Sequence, residues 1–288
     1  MLFTLDLRMP FRYTNDSSCN QVRMKLFYRK YGEGPPLIIL HGLFGSSDNW
    51  MTIAKSLGDT FTVYLPDQRN HGQSPHSDIE DYDSMRDDLF ELAGDLKLKK
   101  FFLAGHSMGG KTAISFALNW PEMINGLLIA DISPFINENT KRSASREHLE
   151  ILQAMLSVKL SEITSRKEVE TILLGKTSSE RTRGFILKNL LRTNENKFAW
   201  KINISSILNN LEKIVAEIDV SQYTNLQITG FPVIFLKGKD SDYLPHDDFK
   251  NIQKVFPAAE FVEVPGSGHW IHTDRPDEVI RNIKRLIE

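Results

Sequence analysis

Apolar residues fall along this chain in two alternating rhythms. Short apolar runs at residues 37–40, 61–65, 101–104, 127–130, 233–236 and 260–264 are too brief for helices. Most are bounded by Gly, Pro, Asp or His, which marks them as strands. Most are continuous rather than alternating, the pattern of a parallel sheet covered on both faces. Between them, amphipathic stretches at 49–57, 84–96, 111–119, 249–255 and 276–287 predict helices. Strands alternating with helices predict an α/β fold built on a doubly wound sheet. Residues 23–31, followed by a Gly-Glu-Gly-Pro-Pro turn, predict an added antiparallel hairpin strand.

The rhythm breaks between 137 and 225. Segments 146–160, 166–174, 179–191 and 205–218 read as helices, and 197–203 as a short strand. The expected organisation is therefore a core of residues 1–136 and 226–288, with a helical cap of 137–225 inserted between two sheet strands. Composition changes little in this picture. With 35 Lys+Arg against 37 Asp+Glu, the chain offers no basic field for a phosphate backbone, which argues against a nucleic-acid partner. No apolar run is long enough for a membrane span. The first residues lack the basic and apolar regions of a signal peptide, so a cytoplasmic location is expected. Cys19 is the sole cysteine, which excludes an internal disulfide or a multi-cysteine metal site and reads as a free thiol.

Residues 101–118, FFLAGHSMGGKTAISFAL, carry two overlapping motifs between a strand and a helix. Gly105-His106-Ser107-Met108-Gly109 fits G-x-S-x-G, a nucleophile elbow whose sharp turn lifts Ser107 above the sheet edge. Residues 105–112 also fit G-x-x-x-x-G-K-T, a phosphate loop with Lys111 on phosphates and Thr112 on magnesium. Two parallel strands precede this one, whereas a phosphate-loop strand usually opens its domain. That reading also leaves the following signals without a role.

A serine nucleophile needs a base, an orienting acid and an oxyanion hole. His269 lies in PGSGHW, between the last strand and the last helix, where flanking glycines let the loop fold over the sheet edge. His272 is the weaker candidate. The second oxyanion donor falls after the first parallel strand: Gly42 permits a tight turn that aims the Leu43 N–H, or else that of Phe44, at the point served by the Met108 N–H. Asp67, Arg69, Gly72 and Ser74, with His71 and His76, read as the scaffold of the loop after the 61–65 strand.

The set LHGLFGSSDNW, PDQRNHGQSPH, GHSMGGK, ADISP and PGSGHW resembles the α/β-hydrolase superfamily, and within it the YbfF-type esterases and their eukaryotic relatives. The resemblance implies the α/β-hydrolase fold, and it bears on the acid. Many members carry the acid after a late strand in G-x-x-D, but three residues past Gly238 stands Ser241. YbfF-like enzymes take it from the end of the preceding strand, which implies Asp131; Asp240 and Asp242 stand as alternatives.

The expected activity is hydrolysis of carboxylic esters or acyl thioesters by Ser107, His269 and Asp131 through an acyl-enzyme, with no metal or organic cofactor. An acyltransferase would use the same groups and deliver the acyl chain to an alcohol. The partner is then a small-molecule acyl ester or thioester. Phe44, Phe185 and Trp200 are the expected substrate-binding side chains. Leu152, Met155, Leu156, Ile186 and Leu190 line either an acyl pocket or the interior of the cap itself.

Overall fold

The computed structural model describes residues 23–177, 179–223 and 227–288. Its strands are β1 (Tyr28–Tyr31), β2 (Pro36–Leu40), β3 (Thr62–Pro66), β4 (Phe101–His106), β5 (Ile124–Ala130), β6 (Leu190–Arg192), β7 (Phe198–Trp200), β8 (Val233–Gly238) and β9 (Ala259–Val264). Seven of them form one sheet in the order β1-β3-β2-β4-β5-β8-β9. All neighbours run parallel except β1, which is antiparallel to β3. All six expected parallel strands are present. The expected hairpin is corrected: β1 does not pair across its turn with β2, because β3 and β4 already occupy both edges of β2.

Side-chain alternation divides each strand between two cores. Leu37, Ile39, Val63 and Leu65 pack with Ile53 and Leu57 of α1 (Met51–Leu57). Ile38, Leu40 and Leu103 face the opposite layer. That layer contains Leu89 of α2 (Tyr82–Asp95) and Ile114 of α3 (Met108–Asn119). A parallel sheet covered on both faces follows from these nearly unbroken apolar runs.

The stretch between β5 and β8 holds α4 (Glu138–Leu156), α5 (Arg166–Leu174), α6 (Glu180–Lys188), the β6–β7 hairpin, α7 (Ile204–Asn209) and α8 (Leu211–Val215). Several of its boundaries differ from expectation, and α4 also ends early, at Leu156. Helix α4 starts at Glu138 rather than 146, because the Asn137 side chain accepts from the Thr140 N–H and caps a polar first turn. The helix expected over 179–191 stops at Lys188, and Leu190–Arg192 pairs with Phe198–Trp200 instead. The one expected over 205–218 is two short helices. After β8 come α9 (Phe249–Val255), α10 (Ile271–Asp274) and α11 (Pro276–Arg285).

Polar contacts join the inserted stretch to the sheet layer. Asn203 N–H donates to Asn70 O at 2.9 Å, and Asn210 Nδ2 donates to Asp78 O at 2.8 Å. Tyr82 of α2 donates its hydroxyl to Ile214 O at 2.5 Å. Among the described residues no helix is long and apolar enough to cross a membrane. Cys19 and the expected boundary at 225 lie outside the described residues.

Candidate active site

Ser107 is wedged between β4 and α3 with φ 53° and ψ −119°. A non-glycine residue with positive φ is strained, at a cost on the order of 1–3 kcal/mol. Two flanking glycines make the turn feasible. A Cβ on Gly105 would lie 2.2 Å from Gly109 O, and one on Gly109 would lie 2.5 Å from His41 O. The elbow thus needs glycine at both positions of G-x-S-x-G. Met108 opens α3, so its N–H belongs to the first turn, whose amides lack intrahelical partners.

His269 sits between Ser107 and Asp131. Ser107 Oγ donates to Nε2 at 3.0 Å, and Nδ1–H donates to Asp131 Oδ2 at 2.8 Å. Asp131 directly follows β5, is fully buried, and itself has φ 52°. Its Oδ1 accepts from Gly238 N–H at 2.8 Å, and its Oδ2 also accepts from Ser241 Oγ. Ser241, three residues past Gly238, therefore donates to a carboxylate from the end of the neighbouring strand. Asp240 and Asp242 lie exposed in the loop after β8. Tyr243 stacks on the His269 ring at 3.8 Å, a support that sequence reasoning missed. His272 is remote from this role: it stacks on Trp50, and burial pushes its pKa down to about 3.

The other donor loop is a turn closed by Gly45 N–H to Gly42 O at 2.9 Å. Phe44 within it has φ 60°. Its N–H donates to His71 Nε2 at 3.1 Å and is thereby already engaged. His71 donates Nδ1–H to Arg69 O at 2.8 Å, and burial lowers its pKa to about 3, so it is held as the neutral Nδ1–H tautomer. On the other side of Phe44, its carbonyl accepts from Asn189 Nδ2 at 2.9 Å. Asn189 is a buried residue of the inserted stretch, just past α6, and its contact was not legible in the sequence.

The remaining expected loop residues act as scaffold. Asp67 accepts from Ser47 N–H at 2.6 Å and Gln73 N–H at 2.8 Å, and a Cβ on Gly72 would strike its carboxylate. Arg69 forks onto Asp88 at 2.6 and 2.8 Å. Ser74 Oγ donates to Asp67 O, while His76 is exposed. The phosphate-loop reading is overturned: Lys111 is buried and its Nζ donates to Ala216 O at 2.5 Å, beyond the C-terminal end of α8. Thr112 is also turned inward, donating to Met108 O at 3.1 Å.

Two cavities open on Ser107. The larger, about 250 Å³, is lined by Phe44, Trp50, Arg181, Phe185, His269 and Trp270 among others. The smaller, about 30 Å³, is lined chiefly by apolar side chains. Phe44 and Phe185 both line the larger cavity. Trp200 does not: it is in the β6–β7 hairpin, opposite Leu190, and lines neither cavity. Leu152, Met155, Ile186 and Leu190 are interior to the inserted stretch, and Leu156 is exposed. His148, also unforeseen, lines both cavities and is kept neutral by burial, with a pKa of about 4. Among the described residues no cluster of His, Cys, Asp and Glu is arranged to hold a metal ion.

A family profile described as the alpha/beta hydrolase fold matches residues 35–276. The chain is 40% identical over 265 residues to the sn-1-specific diacylglycerol lipase ABHD11 of Danio rerio, covering 89% of this chain and 80% of that protein. It is 28% identical to the esterase YbfF of Escherichia coli strain K12, over 88% of this chain and 92% of the other. A solved structure titled "Marine microorganism esterase" superposes with a TM-score of 0.85 at 42% identity, covering 91% of this chain and 99% of that one.

Proposed function

The chain belongs to the α/β-hydrolase family and is a carboxylic ester hydrolase, and we propose that it works through an acyl-enzyme on Ser107, with His269 as base and Asp131 as orienting acid. The observation that carries this reading is the unbroken relay from Ser107 through His269 to Asp131, at 3.0 and 2.8 Å.

In the first half-reaction His269 Nε2 takes the Ser107 proton as Oγ bonds to the acyl carbon. Asp131 holds the Nδ1–H tautomer and stabilises the imidazolium that forms. The carbonyl electrons move onto oxygen, which accepts from the Leu43 and Met108 N–H groups; each such donor is worth about 2.7–4 kcal/mol in the transition state. His269 then gives its proton to the leaving oxygen or sulfur as that bond breaks. Water attacks the acyl-enzyme by the same steps in reverse order and frees the acid. The described residues 137–177 and 179–223 form the cap over this site, with Phe185 presented to the larger cavity. The reaction calls on no metal or organic cofactor.

Kinetics of two variants on a 4-nitrophenyl ester test the assignment. Ser107→Ala loses on the order of 10⁶ in kcat, whereas Lys111→Ala, if folded, retains turnover. The reverse pattern would contradict the serine assignment. Ethanol added to the assay reports whether an alcohol competes with water for the acyl group.

A further inference from the structure

His148 stands on α4 where the two cavities meet: Leu43, Ser107, His148 and Tyr243 line both of them. Apart from the nucleophile, the other polar side chains around the smaller cavity are occupied. Tyr82 donates its hydroxyl to Ile214 O at 2.5 Å, and Tyr243 donates its own to Glu147 Oε2 at 3.5 Å. Lys111 Nζ donates to Ala216 O at 2.5 Å and to Val215 O at 3.4 Å. His148 differs from these. Its Nδ1 is enclosed by protein and has no hydrogen-bond partner among the described residues. Its ring packs edge-on against Phe44, with centroids 5.7 Å apart, which seats it against the loop that carries Leu43.

A neutral imidazole carries one N–H and one lone pair. Burial, with smaller contributions from His269 and Lys111, keeps His148 in that neutral form. An enclosed N–H without an acceptor is rarer in folded proteins than an under-used lone pair. The unpartnered Nδ1 therefore holds the lone pair, and the proton sits on Nε2. With Nδ1 shut in, Nε2 is also the ring nitrogen that can meet a ligand. We propose that His148 Nε2–H is a substrate-recognising donor, and that the enzyme selects esters carrying an ether, hydroxyl or keto oxygen close to the scissile group. This rests on the serine mechanism above. The oxygen must be close because His148 shares both cavities with Ser107, which attacks the acyl carbon. It is uncharged because the burial that holds His148 neutral also penalises an anion beside it. His148 moves no proton in the reaction; it binds and orients. A purely hydrocarbon ester leaves its N–H without an acceptor, and a site built to bond an oxygen discriminates against the analogue that lacks one.

The test compares esters of matched shape in which one methylene is exchanged for oxygen. The pair 4-nitrophenyl methoxyacetate and 4-nitrophenyl butyrate varies the acyl side; 2-methoxyethyl acetate and butyl acetate vary the alcohol side. For each pair kcat/KM is measured with the unaltered protein and with His148→Phe, which keeps a ring and removes the donor. Dividing the oxygen-to-methylene ratio of the unaltered protein by that of the variant cancels the intrinsic reactivities of the esters. The quotient should reach about fivefold or more in at least one pair, the weight of one hydrogen bond, and the pair that responds tells which side of the ester carries the oxygen. A smaller quotient in both pairs overturns the role of His148, and leaves the serine mechanism standing if Ser107→Ala still abolishes cleavage. Should His148→Phe not fold, His148→Leu is read by the same criterion. In the unaltered protein, nitrogen NMR of the histidine rings should show His148 protonated at Nε2; a proton on Nδ1 would overturn the donor assignment. Ester cleavage that survives Ser107→Ala overturns the mechanism and the assignment together.

Discussion

Phe44 is held in a left-handed conformation by two contacts, and loosening one of them should weaken the oxyanion hole. Its φ of 60° is unfavourable for a non-glycine residue. His71 Nε2 secures its N–H at 3.1 Å, and Asn189 Nδ2 secures its carbonyl at 2.9 Å. Asn189→Ala removes the second contact. The net value of such a hydrogen bond is about 0.5–1.5 kcal/mol, and a buried carbonyl left without a donor costs about 1–3 kcal/mol. If that cost falls on the alignment of the Leu43 N–H, kcat drops by roughly 5- to 150-fold. Its ceiling is the full loss of one donor, about 2.7–4 kcal/mol. The ester ground state leans little on the oxyanion donors, so KM should stay within about threefold. Steady-state kinetics on 4-nitrophenyl acetate, with the inhibition constant of a trifluoromethyl ketone, measure both sides. The ketone forms an oxyanion at the same place, so its affinity should fall in step with kcat. A lowered unfolding temperature with kcat within twofold of the parent would refute the reasoning. So would a loss of kcat that spares ketone affinity.

Three further outcomes are expected. Asp131→Asn should lower kcat on the order of 10⁴-fold by favouring the wrong imidazole tautomer, whereas Asp242→Asn leaves it near the parent value; the two measured side by side decide which carboxylate serves His269. Ser241→Ala removes a donor to Asp131 Oδ2, and a loss of about 1.5–3 kcal/mol in transition-state stabilisation is expected for a hydrogen bond to a charged group, read as a fall in kcat/KM. Glu80 is fully buried beside Asn70, with His71 Nδ1 at 3.7 Å and Arg69 nearby, and burial raises its pKa to about 8. The folded state therefore keeps a proton that the unfolded chain has lost. Stability from this group is complete below the ordinary carboxylate pKa and declines as pH rises through about 8. Glu80→Gln should flatten that decline in urea unfolding at pH 6, 7.5 and 9; an equal slope in both proteins would contradict it.

Much of this arrangement was written locally. The parallel strands were legible because a strand covered on both faces has to be apolar at successive positions, as residues 37–40 and 101–104 are. The elbow was legible because close backbone approach on both sides of Ser107 demands glycine at fixed spacing. What could not be read depended on distant partners. Nothing near Asp131 announces that its carboxylate meets Ser241 and Gly238 from another strand. Asn189 looks like an ordinary helix end, and its contact with Phe44 exists only after the inserted stretch has docked. The edge position of β1 and the switch from α6 to β6 were set by pairing and not by local pattern. Trp200 had the composition of a pocket wall but is held in the β6–β7 pair.

The central claim is that Ser107 carries the acyl group. Reaction with a fluorophosphonate, followed by peptide mapping, reads this directly. The account predicts one adduct, on the peptide containing Ser107, forming in step with the loss of esterase activity and absent from the His269→Ala variant. An adduct on any other residue, or full inactivation with Ser107 unmodified, would contradict it.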